Sequence, residues 1–529
     1  MEIEFLNSAE EESRLVKVYG AAVDGIRAIK VIIEAQMSNG TRFLLVGLPD
    51  AAVKESHQRI QAAIAESGLQ YKLKRYIINM APADLKKEGA AYDLPLAVAI
   101  LSLSEDLPTE RLQSTMIMGE LALDGSIRPI HGVLPMTIAA LRDGFDTIIV
   151  PESNAREASV VEGIKVLGAD TLLHVLDYIK GEDKALKCYS FQDESDGLDR
   201  AFGLMDFAEV KGQESVKRAL EVAAAGMHNI IMIGPPGSGK SMMAKRVPTI
   251  LPPLSKDEAL ETTMIHSVAG VLPANATLMR TRPFRAPHHS TSHVALVGGG
   301  SYPKPGEISL AHNGVLFLDE LPEFARNVLE VLRQPLEDRK ITISRARQTV
   351  EFPASFMLVA SMNPCPCGYY NDPDRSRCHC LPSAIQGYLN KVSGPLLDRI
   401  DIQVEIAPVP FESLSARARG ESSAAIRERV MKARAIQQER FKHLPHIHSN
   451  SQMTPKLMQE YVHVGAEGLQ RIRQAMERFK LSARAYDRIL KVARTIADLD
   501  GSEEILTAHI SEAVNYRKLD RSTWGEHAL

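Results

Sequence analysis

Long apolar runs, a secretory leader and a disulfide framework are all missing from this sequence. No stretch of about 18 apolar residues occurs, so we expect no membrane-spanning helix and no membrane partner. Residues 1–13 are polar and acidic, without the basic start and apolar segment of a secretory signal. Five cysteines among 529 residues are too few for a disulfide scaffold. These absences predict a protein of the reducing cytoplasm.

An excess of one charge is missing too, and aromatic residues are scarce at 5%. Lys and Arg together number 62 and Asp and Glu 66, which gives a net charge of −4. A uniformly basic nucleic-acid coat is therefore excluded, whereas a local basic groove is not. Hydrophobic residues at 45% and charged residues at 24% are the ordinary balance of globular domains, which excludes a disordered or collagen-like chain.

The length of 529 residues exceeds what one hydrophobic core supports and predicts roughly three to four domains. Residues 1–185 alternate short β-rich runs with helical patterns, which predicts an α/β domain. Residues 186–205 are polar, so we place a linker there. Residues 206–410 combine helical patterns with strongly apolar strands, which is typical of a parallel sheet covered on both faces. Residues 411–529 are nearly all helical in pattern.

A glycine-rich loop between an apolar strand and a helix matches the pattern G-x-x-x-x-G-K-[ST]. Glycines let the backbone N–H groups converge on phosphate oxygens, and the N-terminus of the following helix adds its positive end. We predict that Lys240 binds the β- and γ-phosphates of a nucleotide and that the Ser241 hydroxyl holds Mg²⁺. The loop consists of Gly234, Pro235, Pro236, Gly237, Ser238, Gly239, Lys240 and Ser241.

Two carboxylates follow a second apolar strand, and a polar side chain follows a third. The strand over 314–318 ends in Asp319 and Glu320, and the strand over 356–361 is followed by Asn363. The carboxyl ends of parallel strands meet at one edge of a sheet, where ligands bind. We therefore predict that Asp319 organises Mg²⁺, Glu320 polarises the attacking water, and Asn363 contacts the γ-phosphate or that water. Capping and turn residues are the alternative interpretation.

Four of the cysteines form two C-x-C pairs within a short segment. Cys365 and Cys367 are followed after ten residues by Cys378 and Cys380. Two such pairs at loop distance can close the tetrahedral four-sulfur site that zinc prefers, with His379 as a substitute ligand. The intervening segment is turn-rich and has no core of its own, so we predict a structural Zn²⁺ that braces the preceding strand. Four reduced loop thiols are the alternative.

Longer stretches of the sequence resemble the magnesium-chelatase-like branch of the AAA+ ATPases, and within it the ComM/YifB family. The phosphate loop, the acid pair and Asn363 occur in the order found in AAA+ proteins. The more specific stretches are Val210–Gln213, Arg282–His289, Pro305–Gly314 and Pro395–Asp401. The resemblance covers almost the full length. It implies an α/β AAA+ core with a parallel sheet, a C-terminal helical lid, and ATP and Mg²⁺ as cofactors.

The same resemblance implies a homo-oligomeric ring, usually a hexamer, with ATP bound between neighbouring subunits. Arg399 would be the arginine finger that reaches the neighbour's nucleotide, and Arg484 the second sensor, from the helical lid. A positive charge placed on the transferring γ-phosphoryl group can raise the rate by orders of magnitude. Without the family context, a surface salt bridge is the simpler interpretation of each arginine.

Basic residues occur in two segments that the resemblance places at the pore of such a ring. Residues 339–352 alternate as two short strands around a basic tip, which predicts a hairpin. Basic pore loops would follow a phosphate backbone without sequence preference. The predicted DNA contacts are Lys340, Arg345 and Arg347, followed by Arg282 and Arg285. An ordinary solvated hairpin is the alternative, and the scarcity of aromatic residues gives no indication of base stacking.

The N-terminal domain resembles the Lon-protease-like domain in two stretches, Ala81–Asp93 and Gly119–Ile130. Active proteases of that class use a Ser–Lys dyad. Here Ala91 stands where the serine is expected and Leu134 stands near the lysine, and without a nucleophile there is no acyl transfer. We predict a catalytically inactive domain that serves oligomerisation or DNA contact. An unrelated α/β domain is the alternative.

These inferences together predict an ATP-driven hexameric DNA motor. The resemblance implies a helicase or branch-migration activity on single-stranded or branched DNA, in homologous recombination during natural transformation. Two other functions stay open: a magnesium-chelatase-type motor subunit, and an ATP-dependent protein remodeller or chaperone. The cysteine cluster and the Lon-like domain favour the DNA motor over the chelatase by resemblance.

Overall fold

The computed structural model describes residues 14–191, 205–273, 276–300, 303–345, 348–370, 377–408, 420–444, 447–479 and 481–517, with the backbone alone at 345 and 348. The chain divides into two compact units. The first comprises Met1–Glu194 with Ala259–Met279, and the second comprises Ser195–Glu258 with Arg280–Leu529. In the described part of the chain, no helix is long and apolar enough to cross a membrane.

The first unit is built on an eight-stranded mixed sheet and a two-stranded ribbon. The strands are β1 (Leu15–Asp24), β2 (Arg27–Ser38), β3 (Phe43–Val46), β4 (Arg75–Ala81), β5 (Thr115–Ile117), β6 (Glu120–Leu121), β7 (Ile127–Arg128), β8 (Thr147–Pro151), β9 (Lys165–Ala169) and β10 (Lys187–Tyr189). The sheet has the order β10-β9-β8-β5-β1-β2-β4-β3, and the ribbon pairs β6 with β7. The pairs β1–β2, β2–β4 and β9–β10 of the sheet are antiparallel.

The long β1–β2 hairpin forms because buried apolar residues alternate with exposed residues along β1. Val16 and Val18 are buried, and the residue before each of them is exposed. Gly25 lies in the turn between the strands with a φ of 64°, a conformation that glycine adopts at no steric cost. Neither strand is among the sequence-based predictions.

The helices of Met1–Glu194 pack against this sheet and share its core. Within the described residues they are α1 (Ala51–Glu66), α2 (Asp93–Ser104), α3 (Glu110–Gln113), α4 (Val133–Arg142), α5 (Glu152–Ala158) and α6 (Leu172–Lys180). Every residue of α2 is buried, as expected for a helix that is apolar nearly all round. Its charged residue, Asp93, is held by two hydrogen bonds of 2.7 and 2.9 Å from the guanidinium of Arg59.

Two segments lie in the first unit although the sequence patterns place them elsewhere. Ala259–Met279 falls inside the predicted 206–410 domain, yet Ser267 donates a hydrogen bond to Glu157, and Gly132 N donates to Ser267 O at 3.2 Å. Lys187–Tyr189 falls inside the predicted 186–205 linker, yet it pairs with β9 as an edge strand. Short strands of this kind carry too few residues to show a period of two.

The second unit is built on a five-stranded sheet whose neighbouring strands are all parallel. Its strands are β11 (Ile230–Ile233), β12 (Phe284–Arg285), β15 (Val315–Leu318), β18 (Met357–Met362) and β19 (Ile402–Glu405). Two antiparallel ribbons accompany it, made by β13 (Gly298–Gly299) with β14 (Lys304–Pro305) and by β16 (Lys340–Arg345) with β17 (Gln348–Pro353). The sheet has the order β12-β15-β18-β11-β19, so its first strand lies between its last two.

Helices surround this sheet and continue to the C-terminal end of the described chain. They are α7 (Glu214–Gly226), α8 (Lys240–Ile250), α9 (Lys256–Ala269, which enters the first unit), α10 (His293–Val297), α11 (Glu307–Leu310), α12 (Arg326–Val331), α13 (Arg333–Asp338), α14 (Pro382–Leu389), α15 (Gly394–Leu397), α16 (Ser423–Phe441), α17 (Pro455–Tyr461), α18 (Ala466–Phe479), α19 (Ala483–Leu499) and α20 (Thr507–Asn515). Val430 of α16 and Ile489 of α19 belong to the same buried core as Ile230 of β11.

The parallel sheet places the residues that follow its strands at one edge. Ile233 at the end of β11 pairs with Met362 of β18, and Leu318 at the end of β15 pairs with Ala360 of β18. All residues of these three strands are buried. The residues that come directly after them therefore lie side by side at the carboxyl edge, where open α/β sheets bind ligands.

Candidate functional site

The glycine-rich sequence forms a tight backbone loop between β11 and α8. Gly237 and Gly239 have φ angles of 76° and 89°, which residues with a side chain rarely adopt. A Cβ added to Gly234 would lie 2.6 Å from the carbonyl oxygen of Ile406, so only glycine fits there. Helix α8 begins at Lys240, directly after the loop. Loop N–H groups at a helix N-terminus form a ready anion-binding site.

Lys240 connects this loop to the end of β18. Its Nζ donates hydrogen bonds to Gly234 O at 2.7 Å, Pro235 O at 2.8 Å and Asn363 Oδ1 at 3.2 Å. Burial lowers the pKa of Lys240, and two nearby carboxylates partly offset this effect. A phosphate group in the loop would give the ammonium group a charged partner in place of these neutral oxygens, which makes a stronger hydrogen bond.

Asp319 is held by hydroxyl groups from two other elements. Ser241 Oγ, in the first turn of α8, donates to Asp319 Oδ2 at 2.6 Å. Ser361 Oγ, on β18, donates to Asp319 Oδ1. Oxygen ligands of this kind are those that Mg²⁺ prefers, so Ser241 and Asp319 fit the predicted metal role. Ser361 is not among the predicted site residues, although a serine in a buried apolar strand needs a polar partner, and that need is a signal for it in the sequence.

Glu320 directs its carboxylate toward solvent beside the same loop. Its φ is 52° and its side chain is 57% exposed. His289 Nδ1 lies 3.8 Å from Glu320 Oε2, and the ring of His288 packs on that of His289 with centroids 4.0 Å apart. A non-glycine residue in the left-handed region is typical of functional sites. An exposed carboxylate in this position can hold a water molecule next to a bound phosphate.

A cleft of about 390 Å³ opens beside the loop. Its walls are formed by Glu209, Val210, Lys211 and Gln213 ahead of the loop, by residues 235–239 of the loop, by Met242, Met243 and Pro408, and by Tyr369 and Arg377 of the cysteine segment. Gln213 has a φ of 60°, and its Nε2 donates to Ala407 O at 2.6 Å. A cleft with both apolar and polar walls that includes an anion-binding loop suits a nucleotide.

The four clustered cysteines converge on one point. Their sulfurs all lie within 4.8 Å of one another. The Sγ–Sγ distances are 3.3 Å for Cys365–Cys367, 3.6 Å for Cys367–Cys378 and 3.8 Å for Cys365–Cys378. A tetrahedral zinc with Zn–S bonds of about 2.3 Å places its sulfurs about 3.8 Å apart, so the cluster, with Cys380, fits zinc. His379 is exposed and is not one of the four converging groups.

The two arginines with roles implied by the family resemblance lie in different surroundings. Arg399 is buried, with Nη2 2.5 Å from Glu337 Oε1 and Nη1 donating to Pro395 O at 2.6 Å. Arg484 is exposed in the first turn of α19. Arg399 is thus paired inside its own chain in this conformation.

The predicted hairpin is present as β16 and β17, which pair from Lys340 opposite Pro353 to Arg345 opposite Gln348. Lys340 is exposed, and its Nζ lies 2.9 Å from Glu351 Oε1 across the ribbon. The side chain of Arg345 and the whole of residue 347 lie outside the described residues. The predicted DNA contacts at the tip of the hairpin, Arg345 and Arg347, therefore stay predictions.

Arg282 and Arg285, the other predicted DNA contacts, form ion pairs within the fold. The side chain of Arg282 is 3% exposed, with Nη2 2.9 Å from Glu258 Oε2. Arg285 holds both carboxylate oxygens of Glu307, at 2.6 and 2.7 Å. Both arginines are thus paired inside the fold in this conformation, and their DNA contacts stay predictions.

The residues expected at the Lon-type dyad lie in the first unit. Ala91 is in the 3₁₀ turn Ala90–Tyr92 ahead of α2, and Leu134 is buried in α4. Neither side chain carries an atom that can act as a nucleophile or a base. Ser–Lys chemistry is therefore impossible at this pair of positions.

The carboxyl edge of the second unit combines an anion-binding loop, a hydroxyl–carboxylate pair that could hold Mg²⁺, a water-facing acid and a polar group after the neighbouring strand. This arrangement can bind a nucleoside triphosphate with Mg²⁺ and direct water at its terminal phosphate. Together with a parallel sheet whose first strand lies between its last two, it defines the AAA+ class of P-loop nucleoside triphosphatases.

Comparisons with known proteins agree with this class. Family models match three parts of the chain: "Subunit ChlI of Mg-chelatase" over residues 33–154, "Magnesium chelatase, subunit ChlI" over 206–414, and "Magnesium chelatase, subunit ChlI C-terminal" over 420–517. A protein of Methanocaldococcus jannaschii named archaeal Lon protease is 26% identical over 32% of this chain and 28% of its own length.

Two bacterial proteins are similar over nearly the whole chain. Competence protein ComM of Haemophilus influenzae is 44% identical, covering 96% of this chain and 98% of its own length. YifB of Escherichia coli is 43% identical, covering 95% of this chain and 97% of its own length. The chain therefore belongs to the ComM/YifB family of magnesium-chelatase-like AAA+ ATPases.

Proposed function

We propose that this protein is an ATP-driven DNA motor that assembles as a homo-hexameric ring and moves the branch point of joined DNA molecules. Membership of an AAA+ family supports ATP and Mg²⁺ as its cofactors. The similar protein of Haemophilus influenzae is named a competence protein. That name supports a role in homologous recombination during natural transformation, with single-stranded or branched DNA as the partner.

In this proposal the carboxyl edge of the parallel sheet hydrolyses ATP. The loop N–H groups and Lys240 hold the phosphates, while Ser241 and Asp319 hold Mg²⁺, which neutralises phosphate charge when bound. Glu320 orients the attacking water and accepts its proton. Asn363, which hydrogen-bonds Lys240 at 3.2 Å, is placed to exchange that bond for one to the γ-phosphate or the water.

The observation that carries the DNA-motor proposal is the place of the β16–β17 hairpin in the chain. The hairpin, with α12 and α13, connects β15, which leads to Asp319, to β18, which leads to Asn363. If nucleotide hydrolysis moves the end of β15 or of β18, the connected hairpin moves with it. Other nucleotide switches likewise couple the loss of the γ-phosphate to a change in a nearby segment. Arg345 and Arg347 at its tip supply the charge that a DNA backbone requires, and Lys340 adds to it when its ion pair with Glu351 opens.

A ring completes each site with residues from another subunit. We infer that Arg399 leaves Glu337 and reaches the nucleotide of the neighbouring subunit, where its guanidinium stabilises the charge on the transferring phosphoryl group. Arg484, exposed at the start of α19, is placed to act as the second sensor from the helical lid of residues 411–529. Hydrolysis then depends on assembly, because an isolated chain keeps Arg399 paired internally.

We infer that residues 1–185 act as a catalytically inactive Lon-like domain used for assembly or DNA contact, beyond a linker from the 206–410 ATPase core. The four cysteines bind one structural Zn²⁺ in the reducing cytoplasm, where their thiols stay available to metal. Metal analysis of protein purified under reducing conditions should find about one zinc per chain. Much less than one zinc per chain would reject the metal site.

A chelatase-type motor or a protein remodeller is the second candidate, because the matching family models are described as magnesium-chelatase subunits. Such a motor would remodel a protein partner and would not respond to DNA. Stimulation of ATP turnover by an unfolded protein, rather than by DNA, would favour this candidate.

Steady-state ATP hydrolysis with and without DNA tests the proposal. Single-stranded and branched DNA should each stimulate turnover several-fold at low salt, and the stimulation should fall at high salt because phosphate contacts release counterions. Lys240→Ala serves as the blank. The double variant Arg345→Ala with Arg347→Ala should keep basal turnover and flatten the salt dependence of DNA binding. Turnover that ignores every DNA would reject the DNA-motor proposal.

A further inference from the structure

The cysteine segment reaches the nucleotide cleft. Tyr369 follows Cys367 by two residues, and Arg377 directly precedes Cys378. Both Tyr369 and Arg377 line the cleft of about 390 Å³ beside the phosphate loop. Tyr369 and Arg377, which lie next to cluster cysteines in the chain, therefore form one wall of the proposed nucleotide site.

The segment also packs directly against the phosphate loop. Gly368 has a φ of 87°, and a Cβ added to it would lie 2.5 Å from Pro236 Cδ. Its N–H donates to Cys365 O at 3.0 Å, which ties this contact to the first cysteine pair. Because no side chain fits between Gly368 and Pro236, a displacement of the cysteine segment is transmitted to the loop.

The side chains of Tyr369 and Arg377 pack against each other. The guanidinium carbon of Arg377 lies 4.1 Å from the centre of the Tyr369 ring. Stacking on an aromatic face fixes the plane of a guanidinium and leaves its N–H groups pointing outward from the ring edge. A planar fork of this kind matches the oxygens of a phosphate group.

Lys240 supplies one cation to the phosphate loop, and among the described residues that line the cleft the cationic ones are Lys211 and Arg377. Lys240 is directed inward, toward Gly234 O, Pro235 O and Asn363. Arg377 lines the cleft together with residues 235–239 of the loop. A nucleotide polyphosphate bound by both Lys240 and Arg377 would gain two charge-assisted partners.

We propose that Arg377, stacked on Tyr369, binds the phosphate groups of the nucleotide, and that the metal-bound cysteine cluster positions this pair. The inference rests on the proposed ATPase function and deepens it, because it makes nucleotide affinity depend on the metal. Arg377 thereby acts as a phosphate ligand, and Tyr369 acts as a positioning residue for its guanidinium.

The test measures the Kd of a fluorescent ATP analogue, with ADP and AMP as competitors, in the full-length protein without DNA. Arg377→Ala should raise the Kd for ATP and ADP about tenfold and leave the Kd for AMP nearly unchanged. Tyr369→Ala should raise the Kd for ATP several-fold, whereas Tyr369→Phe, which keeps the ring, should bind like the parent. Arg471→Ala, an exposed arginine of α18, is the matched control and should change nothing.

Removal of the metal should have the same effect as removal of Arg377. Cys378→Ser, or treatment of the parent protein with a chelator and a thiol-blocking reagent, should lower zinc content and raise the Kd for ATP about tenfold. Zinc loss with an unchanged Kd would overturn the role of the cluster. An Arg377→Ala protein that keeps the parent's melting temperature and its Kd for ATP would overturn the phosphate contact, as would equal losses for ATP, ADP and AMP.

The outcomes separate this inference from the DNA-motor proposal. If DNA stimulates the parent protein and Arg377→Ala binds ATP normally, the inference fails alone. If Arg377→Ala weakens ATP binding while no DNA stimulates the parent, the motor proposal fails and the inference stands. If Arg377→Ala has a lower melting temperature than the parent, Arg377→Lys is measured in its place. An unchanged Kd for ATP in Arg377→Lys would show that the planar guanidinium is not required for phosphate binding.

Discussion

At the scale of single residues, the site is ordered by hydrogen bonds that a bound nucleotide would replace. Lys240 donates to backbone carbonyls and to Asn363, and Ser241 donates to Asp319 at 2.6 Å. In the proposed function, Lys240 and Asn363 would exchange these partners for ATP, and Ser241 and Asp319 would exchange theirs for Mg²⁺. The side chains therefore stand close to their working positions, which limits the reorganisation that binding requires.

Arg399 gives the residue-scale prediction. Arg399→Ala should lower ATP hydrolysis by about 10³-fold or more, because the charge on the transferring phosphoryl group loses its partner from the neighbouring subunit. The Kd for ATP should stay within about twofold of the parent value, since the finger acts on the transferring group. Steady-state turnover and fluorescent-nucleotide binding check the two parts, with Arg471→Ala as the exposed control.

Mixing subunits checks whether Arg399 acts across an interface. Lys240→Ala and Arg399→Ala proteins are each expected to be inactive, but a mixture should regain part of the activity. In mixed rings some sites combine an intact Lys240 with an intact Arg399 from the next subunit. A mixture that stays inactive, or an Arg399→Ala protein that hydrolyses ATP normally, would contradict the assignment.

Sequence reasoning identifies residues whose chemistry is tied to a local pattern and misses those that act across the fold. The phosphate loop and the acid pair are contiguous in sequence and follow apolar strands, so local patterning suffices to propose them. Ser361 and Gln213 are linked to their partners by strand pairing and loop packing, which no local spacing encodes. The same holds for the internal pairing of Arg399 with Glu337, which a linear motif cannot indicate.

At the scale of elements, strands with strong apolar runs are predictable and short or edge strands are not. The strand predicted over 314–318 is β15 (Val315–Leu318), and the strand predicted over 356–361 is β18 (Met357–Met362). The two-residue strand β12 and the edge strand β10 carry too few residues for a period to be visible. The hairpin over 339–352 is confirmed as β16 and β17, because its alternation extends over six residues on each side.

The connection between the sheet and the lid depends on a buried ion pair at the start of β19. Asp401 is 1% exposed, accepts a hydrogen bond from Asn229 N at 3.0 Å, and lies 2.8 Å from Arg488 of α19. Burial by itself raises the pKa of Asp401, but Arg488 and His228 outweigh it and hold the pKa well below its usual range. The ionised carboxylate thus joins the strand that follows Arg399 to a lid helix.

At this scale we predict that Asp401→Asn, which removes the ion pair with Arg488, destabilises the second unit. Removing one partner of a buried pair costs about 3 kcal/mol, so the melting midpoint of the second unit should fall by roughly 6 °C or more at pH 7. A carboxyl whose folded pKa is depressed contributes stability above its unfolded pKa, and this contribution is lost as pH falls below about 4. The parent should therefore lose more stability between pH 5 and pH 3.5 than the variant does.

Thermal unfolding at these pH values checks the Asp401 prediction. Asp487→Asn, which changes an exposed carboxylate next to Arg488, is the matched control and should melt within about 1 °C of the parent. Equal losses of stability in Asp401→Asn and the parent between pH 5 and pH 3.5 would show that the carboxylate contributes nothing by its charge.

At the scale of the whole molecule, the chain consists of two compact units with separate buried cores, and the proposed nucleotide site belongs to the second. The fold classes of both units follow from the sequence, because alternating strand and helix patterns are long enough to be visible in each. The assignment of Ala259–Met279 to the first unit cannot be predicted from the sequence, because it depends on tertiary packing and the hydrophobic pattern of this helical segment does not indicate which unit it joins. The proposed ring would unite Lys240 of one subunit with Arg399 of the next.

The most direct test of the account is the movement of a synthetic four-way DNA junction by the purified protein. The parent should convert the junction into two duplexes only when ATP and Mg²⁺ are both present. Glu320→Gln should bind ATP and the junction without converting it, because the water-activating carboxylate is missing. The DNA-motor account would be contradicted if the parent protein did not convert the junction and hydrolysed ATP at the same rate with and without it.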